Sequence, residues 1–252
     1  MINVIRAEWL KTKRTFLRRF TILAPMFLIL IAVVQKLFMP VDYLRPWDEL
    51  LYQIFNWSPV TFVPMGIALM ASLTQVQEKR AGNYRNLRTL SLPPAVIWTG
   101  KLIILAIYFL IATILILFVT ILVGIISAEG SIPWIQLFSA GSIMWIASLS
   151  IIPLQLWAAV CRGTVASMSL GIAGLIMGVI MAPSSKWALI PWSLPIRLMC
   201  PTVGVHPNGI PLKAGDPLLD ESVIPTGIAI SIGMTIIFSL LTALWFQRKE
   251  IS

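Results

Sequence analysis

Charge is scarce in this sequence. Asp, Glu, Lys and Arg together make up 12% of its 252 residues, about half the share of an ordinary soluble domain. With 58% hydrophobic residues and a mean hydropathy of +0.89, that excludes disordered chains and most soluble enzymes. Cysteine is limited to Cys161 and Cys200, which excludes a disulfide framework and a four-Cys zinc site. The single histidine, His206, leaves no two-His metal motif and no second base for a Ser–His hydrolase. It sits in a Pro-rich turn with no nucleophile motif, so neither catalysis nor a metal site is expected. A P-loop is absent too. Thr99-Gly100-Lys101 imitates its end, but Ala95 stands where the first Gly belongs and Leu102 where Ser or Thr belongs. ATP-driven work would have to come from another chain.

What is present is apolar length. A bilayer core takes ~20 apolar residues per helix. Six stretches meet that, near 20–39, 57–76, 102–127, 137–160, 164–182 and 225–246. The expected fold is therefore all-α, a polytopic membrane protein with six transmembrane helices in a single domain over 1–252. The first stretch follows a basic start and shows no small-x-small cleavage site, so it reads as a retained anchor.

The net charge of +9 is distributed unevenly. With the first residue inside, the inner segments hold Arg6, Lys11, Lys13, Arg14, Arg18, Arg19, Lys79, Arg80, Arg85, Arg88, Lys101, Arg162, Arg248 and Lys249. Only Glu8, Glu78 and Glu250 oppose them. The outer segments hold five bases against seven acids. The positive-inside rule then puts both termini in the cytoplasm. The excess points to the membrane's inner face, not to nucleic acid.

Between the spans, three segments stand out. Residues 1–19 place Ile2, Ile5, Trp9, Thr12 and Phe16 at three- and four-residue steps, the pattern of an amphipathic interfacial helix. Residues 77–101 mix bases with Tyr84, Leu87 and Leu90 at helical spacing and stop at Pro93-Pro94, predicting a short surface helix. Residues 183–224 carry seven prolines and the apolar group Ile190, Leu194, Ile196, Leu198 and Met199. That run is too apolar for a free loop and too short to span, which fits a re-entrant or interfacial segment between helices 5 and 6. His206-Pro207-Asn208-Gly209 predicts a turn. Tyr43, Trp47, Tyr52 and Trp57 read as an aromatic belt. Ser167/Gly171 and Gly174/Gly178 are small-xxx-small pairs for close helix packing, within the subunit or in a dimer seam. Lys36 sits where a lysine can snorkel.

Taken together, the basic start IRAEWLKTKRTFLRR, six spans, the loop EKRAGNYRNLRTLSLPP followed by Lys101, and the apolar outer segment resemble the permease subunits of type-two ABC exporters. PWSLPIRLMCPTVGVHPNG, Pro191 to Gly209, is most similar to the lantibiotic-immunity permeases; bacitracin-type permeases share most of the rest. The resemblance implies a connecting helix through Trp9 and Arg14. It implies an ATPase-coupling loop containing Glu78, Gly82, Tyr84, Arg85, Leu87, Arg88 and Leu90, with a smaller contact at Arg162-Gly163. It places an outer gate at Trp192, Leu194, Ile196, Arg197 and Met199. Its implied partners are two ABC ATPase copies holding ATP and Mg, a second and different six-helix permease, the bacterial plasma-membrane bilayer, and an antimicrobial peptide substrate. The expected function is non-catalytic: expulsion of a lantibiotic or similar peptide, giving immunity or resistance. The competing expectation is a membrane scaffold or assembly factor with no transport role.

Overall fold

The computed structural model describes residues 1–38, 45–82 and 92–249. Helices dominate. α1 (Ile2–Lys11) precedes α2 (Phe16–Leu37). α3 (Trp47–Trp57) runs through a π-helical turn (Ser58–Phe62) into α4 (Val63–Arg80). α5 (Pro94–Ser127) is the longest helix. α6 (Trp134–Ser148) and α7 (Ile151–Met181) follow, then α8 (Ser193–Val203) and α9 (Val223–Arg248). Two-residue strands β1 (Arg45–Pro46) and β2 (Ala128–Glu129) pair in parallel and join the start of α3 to the end of α5.

Proline shapes these rods. Pro59 and Pro64 lack the N–H groups that would bond back to Phe55 and Val60, and the ladder slips into a π turn between them. Pro153 likewise cannot donate to the Leu149 carbonyl, which accepts from Ile152 N–H at 3.2 Å instead, and helix is interrupted at Leu149–Ser150, although both residues keep helical dihedrals. Pro93 and Pro94 set the first turn of α5.

α7 is two limbs. Arg162 and Gly163 leave helical geometry, Gly163 at φ 79° and ψ −163°, a region only glycine enters cheaply. Ser167 Oγ then reaches the Gln155 carbonyl at 3.2 Å. Twelve residues along a straight helix would separate them by ~18 Å, so the chain folds back on itself.

Four helices are long and apolar enough to cross a membrane, judged by length and composition among the described residues. They are Trp47–Arg80, Pro94–Ser127, Ile151–Met181 and Val223–Arg248. Aliphatic side chains are exposed along them, among them Ile172, Ile176 and Ile180 on α7 and Ile236, Leu240 and Leu244 on α9. In water such a surface would aggregate; in lipid it is solvated.

Several expectations change. The amphipathic pattern over 1–19 is not one helix. α1 stops at Lys11, and a turn through Arg14 at φ 70° redirects the chain into α2. Ile2 and Phe16, supposed to share its apolar face, are both exposed; the buried face of α1 runs through Val4, Glu8 and Thr12. The aromatic segment before the second span is helical. Trp47, Leu50, Leu51, Ile54 and Phe55 of α3 are buried, with the Trp47 ring lying so close over Gly124 that a Cβ there would sit 2.0 Å from Cη2. The side chain of Lys36 lies outside the described residues.

Candidate functional site

The cluster at the basic end of the bundle begins with an anomaly in α5. Lys101 stands two turns into an otherwise apolar helix, and its side chain is 0% exposed. An isolated ammonium there would be prohibitively costly. Its Nζ donates to Glu8 Oε2 at 2.8 Å and to Glu78 Oε1. Glu8 comes from α1 and Glu78 from the last turn of α4, and both are nearly buried. Lys11 closes the group, donating to Glu8 Oε1 at 2.6 Å and Glu78 Oε1 at 3.0 Å. Two carboxylates thus face two ammonium groups, so the buried cluster is neutral as a whole.

Neighbouring contacts hold α1 in this position. The C-terminal turn of α1 is anchored by Gln77 Nε2, which donates to the Lys11 carbonyl at 2.5 Å. Thr12 Oγ1 and the Tyr108 hydroxyl lie 2.5 Å apart, and Trp9 stacks on the Tyr108 ring at 5.1 Å between centroids. Gly100 provides the space: a Cβ there would stand 2.7 Å from Val4 Cγ1. Burial works against the charge of Lys11, but the hydrogen bonds and fields of Glu8 and Glu78 outweigh it and raise its pKa above 10.5. Its contribution to stability is therefore present below 10.5 and lost as pH climbs through the raised value.

The cluster brackets the basic loop. Glu78 stands just before Gly82, where α4 has ended, and Lys101 stands in the second turn of α5. One turn before Lys101 on α5, Trp98 is buried, donates Nε1–H to Thr242 Oγ1 at 3.0 Å and stacks on Phe246. Lys249 Nζ donates to the Val160 carbonyl at 3.0 Å, beside the fold-back of α7. Thus α1, α4, α5, α7 and α9 are joined at one end of the bundle by polar and aromatic contacts.

The sequence-derived coupling residues fall as follows. Tyr84, Arg85, Leu87, Arg88 and Leu90 lie outside the described residues. Gly82 adopts φ 103° where the chain leaves α4, and Arg162 is exposed at the fold-back. Glu78 is 4% exposed and engaged with Lys101 and Lys11, not presented at the surface. Sequence reasoning placed Glu8, Lys11 and Lys101 on the same side of the membrane but not together. The available signal was an isolated acid, Glu8, in a strongly basic run.

At the opposite end, Trp192, Leu194, Ile196, Arg197 and Met199 are all buried. They belong to α8 and the residue capping it, packed against α7. A Cβ at Gly174 would stand 2.3 Å from Trp192 Cε2, and one at Gly178 would stand 2.9 Å from the Trp192 carbonyl oxygen. Ser167 and Gly171 face α4 instead: Ser167 Oγ donates to the Ala68 carbonyl at 3.0 Å, and a Gly171 Cβ would meet Ala68 Cβ at 3.1 Å. The two small-xxx-small pairs thus serve two different contacts within the chain. Arg197 donates Nη1–H to the Leu218 carbonyl at 2.9 Å, with its guanidinium 5.9 Å from the Trp187 ring centre. α8 ends at Gly204, whose N–H bonds the Cys200 carbonyl at 2.9 Å in a left-handed cap. Burial pushes the Cys200 thiol up to about 12. The predicted turn at His206 is present, with Gly209 N–H donating to the His206 carbonyl and Asn56 holding it from α3. A cavity of about 700 Å³ lies beside α8, lined by Trp134, Gln136, Ser139, Thr202, Glu221 and Ile224. None of the five expected gate residues lines it.

Neither the curated proteins nor the solved structures contain a match to this chain. A family model described as "ABC-2 family transporter protein" matches residues 4–180. The matched region runs from α1 through nearly all of α7 and contains every member of the charge cluster. The chain belongs to the ABC-2 family of membrane transport proteins.

Proposed function

We infer that this protein is the permease subunit of an ATP-driven exporter that expels a lantibiotic or similar antimicrobial peptide, giving immunity or resistance. ATP and Mg are held by two copies of a separate ATPase. A second, related but different six-helix permease completes the transporter. In this reading the chain crosses the bacterial plasma membrane six times: through α2, α3–α4, α5, α6 with the first limb of α7, the second limb of α7, and α9. Both termini and the basic loop are cytoplasmic, in keeping with the charge asymmetry.

The observation that carries the reading is the buried cluster Glu8–Lys101–Glu78–Lys11. It lies on both flanks of the loop 83–91 and ties them to the helix α1. A push on that loop by an ATPase would reach α4, α5 and α1 together, as a rigid unit. At the far end, the same α4 and α7 pack on each other and α7 cradles α8, so displacement of the bundle would reach the buried α8 and the cavity beside it. A scaffold would need no such linkage between a cytoplasmic loop and the interior.

The test is co-purification of the tagged chain from cells, followed by peptide resistance of a Glu78→Ala strain. The exporter reading expects a co-purified ATPase and resistance lowered at least tenfold. No ATPase, with resistance intact, would leave the scaffold reading. Loss of bacitracin resistance alone would redirect the substrate to that class.

A further inference from the structure

A second cavity, of about 430 Å³, lies between α2, α4 and α5. Phe20, Ala24 and Phe27 line it from α2, Gly66 and Met70 from α4, and Ile116 from α5. Of all its lining side chains only Thr61 carries a hydroxyl, and none is charged. One hydroxyl cannot satisfy a polar headgroup, so the cavity suits hydrocarbon. Phe27 both lines it and is exposed, with Leu23 and Leu30 exposed beside it on α2.

The end of this cavity near Phe20 meets a cationic rim. Phe16, exposed, lies one turn before Phe20 with the ring centres 6.3 Å apart. Arg18 and Arg19 are exposed on the same turn, and Lys13 and Arg14 are exposed in the preceding one. Lys79 and Arg80 are exposed at the end of α4. The carboxylates described at this end, Glu8 and Glu78, are buried and engaged with Lys101 and Lys11. Among the described residues, no free carboxylate at this end is left to compensate the rim's positive charge.

An apolar slot alone would take any lipid, and a cationic rim alone would take any anion. Their juxtaposition selects a molecule with a hydrocarbon chain and an anionic head. We propose that α2, α4 and α5 form a binding site for one anionic phospholipid of the surrounding leaflet, its acyl chain in the cavity and its headgroup on Lys13, Arg14 and Arg19. The proposal requires only a bilayer around the bundle, and stands or falls independently of the exporter reading.

The test is native mass spectrometry of the full chain released from nanodiscs of equal phosphatidylglycerol and phosphatidylcholine. The wild type is expected to retain phosphatidylglycerol in preference. Gly66 lines the cavity and no atom lies within 4 Å of a Cβ built on it, so the Gly66→Phe side chain starts in open space and extends into the cavity. It is expected to lower the retained phosphatidylglycerol about tenfold, and Ala24→Leu provides a second filling variant should the first fail to fold. Arg19→Gln leaves the cavity open and is expected to lower the preference over phosphatidylcholine about fivefold, the factor one surface cation contributes near anionic lipid. Equal retention of both lipids by the wild type would overturn the proposal. So would unchanged retention in a folded cavity-filled variant, or loss of a second copy of the chain in place of a lipid.

Discussion

The two ends of the bundle are held by different physics. At the basic end, α1, α4 and α5 meet through four charged side chains whose hydrogen bonds specify partners across 93 residues of sequence. At the opposite end, α7 and α8 meet through shape, with the Trp192 indole seated where Gly174 has no side chain and the Trp192 carbonyl lying over Gly178. Ion pairs in a buried setting fail sharply when one member is lost, since the remaining charge stays desolvated. A close-packed face fails gradually, in proportion to the volume forced into it. The basic end therefore holds α1, α4 and α5 in fixed register.

Perturbing each end in turn sharpens this contrast. The largest effect is expected for Lys101→Met, which leaves Glu8 and Glu78 facing each other with only the partly exposed Lys11 between them. It should destabilise the fold by about 3–5 kcal/mol, read by thermal unfolding in detergent. Gly174→Ala should cost less, about 1–3 kcal/mol by the same measurement, because the Trp192 ring must move aside. Trp192→Leu in the same background should recover part of that loss; if it recovers nothing, the Gly174–Trp192 contact is not what holds α8.

Smaller effects come from solution conditions and labelling. Unfolding temperature should be insensitive to pH through the neutral range so far as Lys11 is concerned. It should fall only in alkali above 10.5, as the raised Lys11 titrates. A fall centred near neutrality in the wild type but not in Lys11→Met would contradict that sign. The mildest test uses the two cysteines. Cys161 is exposed at the basic end, and Cys200 is buried with its thiol pushed up to about 12. A membrane-impermeant maleimide at pH 7.5 should leave intact cells unlabelled and should label Cys161 alone after permeabilisation. Labelling of Cys161 in intact cells would reverse the proposed orientation.

Much of this architecture was legible in the sequence, because it rests on local chemistry. Pro93-Pro94 marks the start of α5, Gly163 permits the fold-back of α7, and the Pro-Asn-Gly run makes the turn after His206. The end of α1 was not legible. Its apolar periodicity continues through Thr12 and Phe16, and only the pairing of Glu8 with Lys101 shows which face turns inward. The helicity of α3 was hidden for a similar reason: Trp47 and Tyr52 suit a membrane interface equally well, and the glycine that admits Trp47 lies on another helix. The burial of α8 depends on the groove along α7, again a tertiary fact. The charge cluster joins three separated segments, and a one-dimensional count of bases against acids cannot distinguish a buried pair from a solvated one.

The central claim is that the cluster links the basic loop to α1 mechanically, so that residues away from the loop take part in coupling. Glu8→Gln tests it most directly, since Glu8 sits on α1 and changes no residue of the loop. In cells carrying the variant at wild-type membrane abundance, the account predicts that the ATPase still co-purifies while peptide resistance falls at least tenfold. Full resistance, with the ATPase still bound, would contradict it.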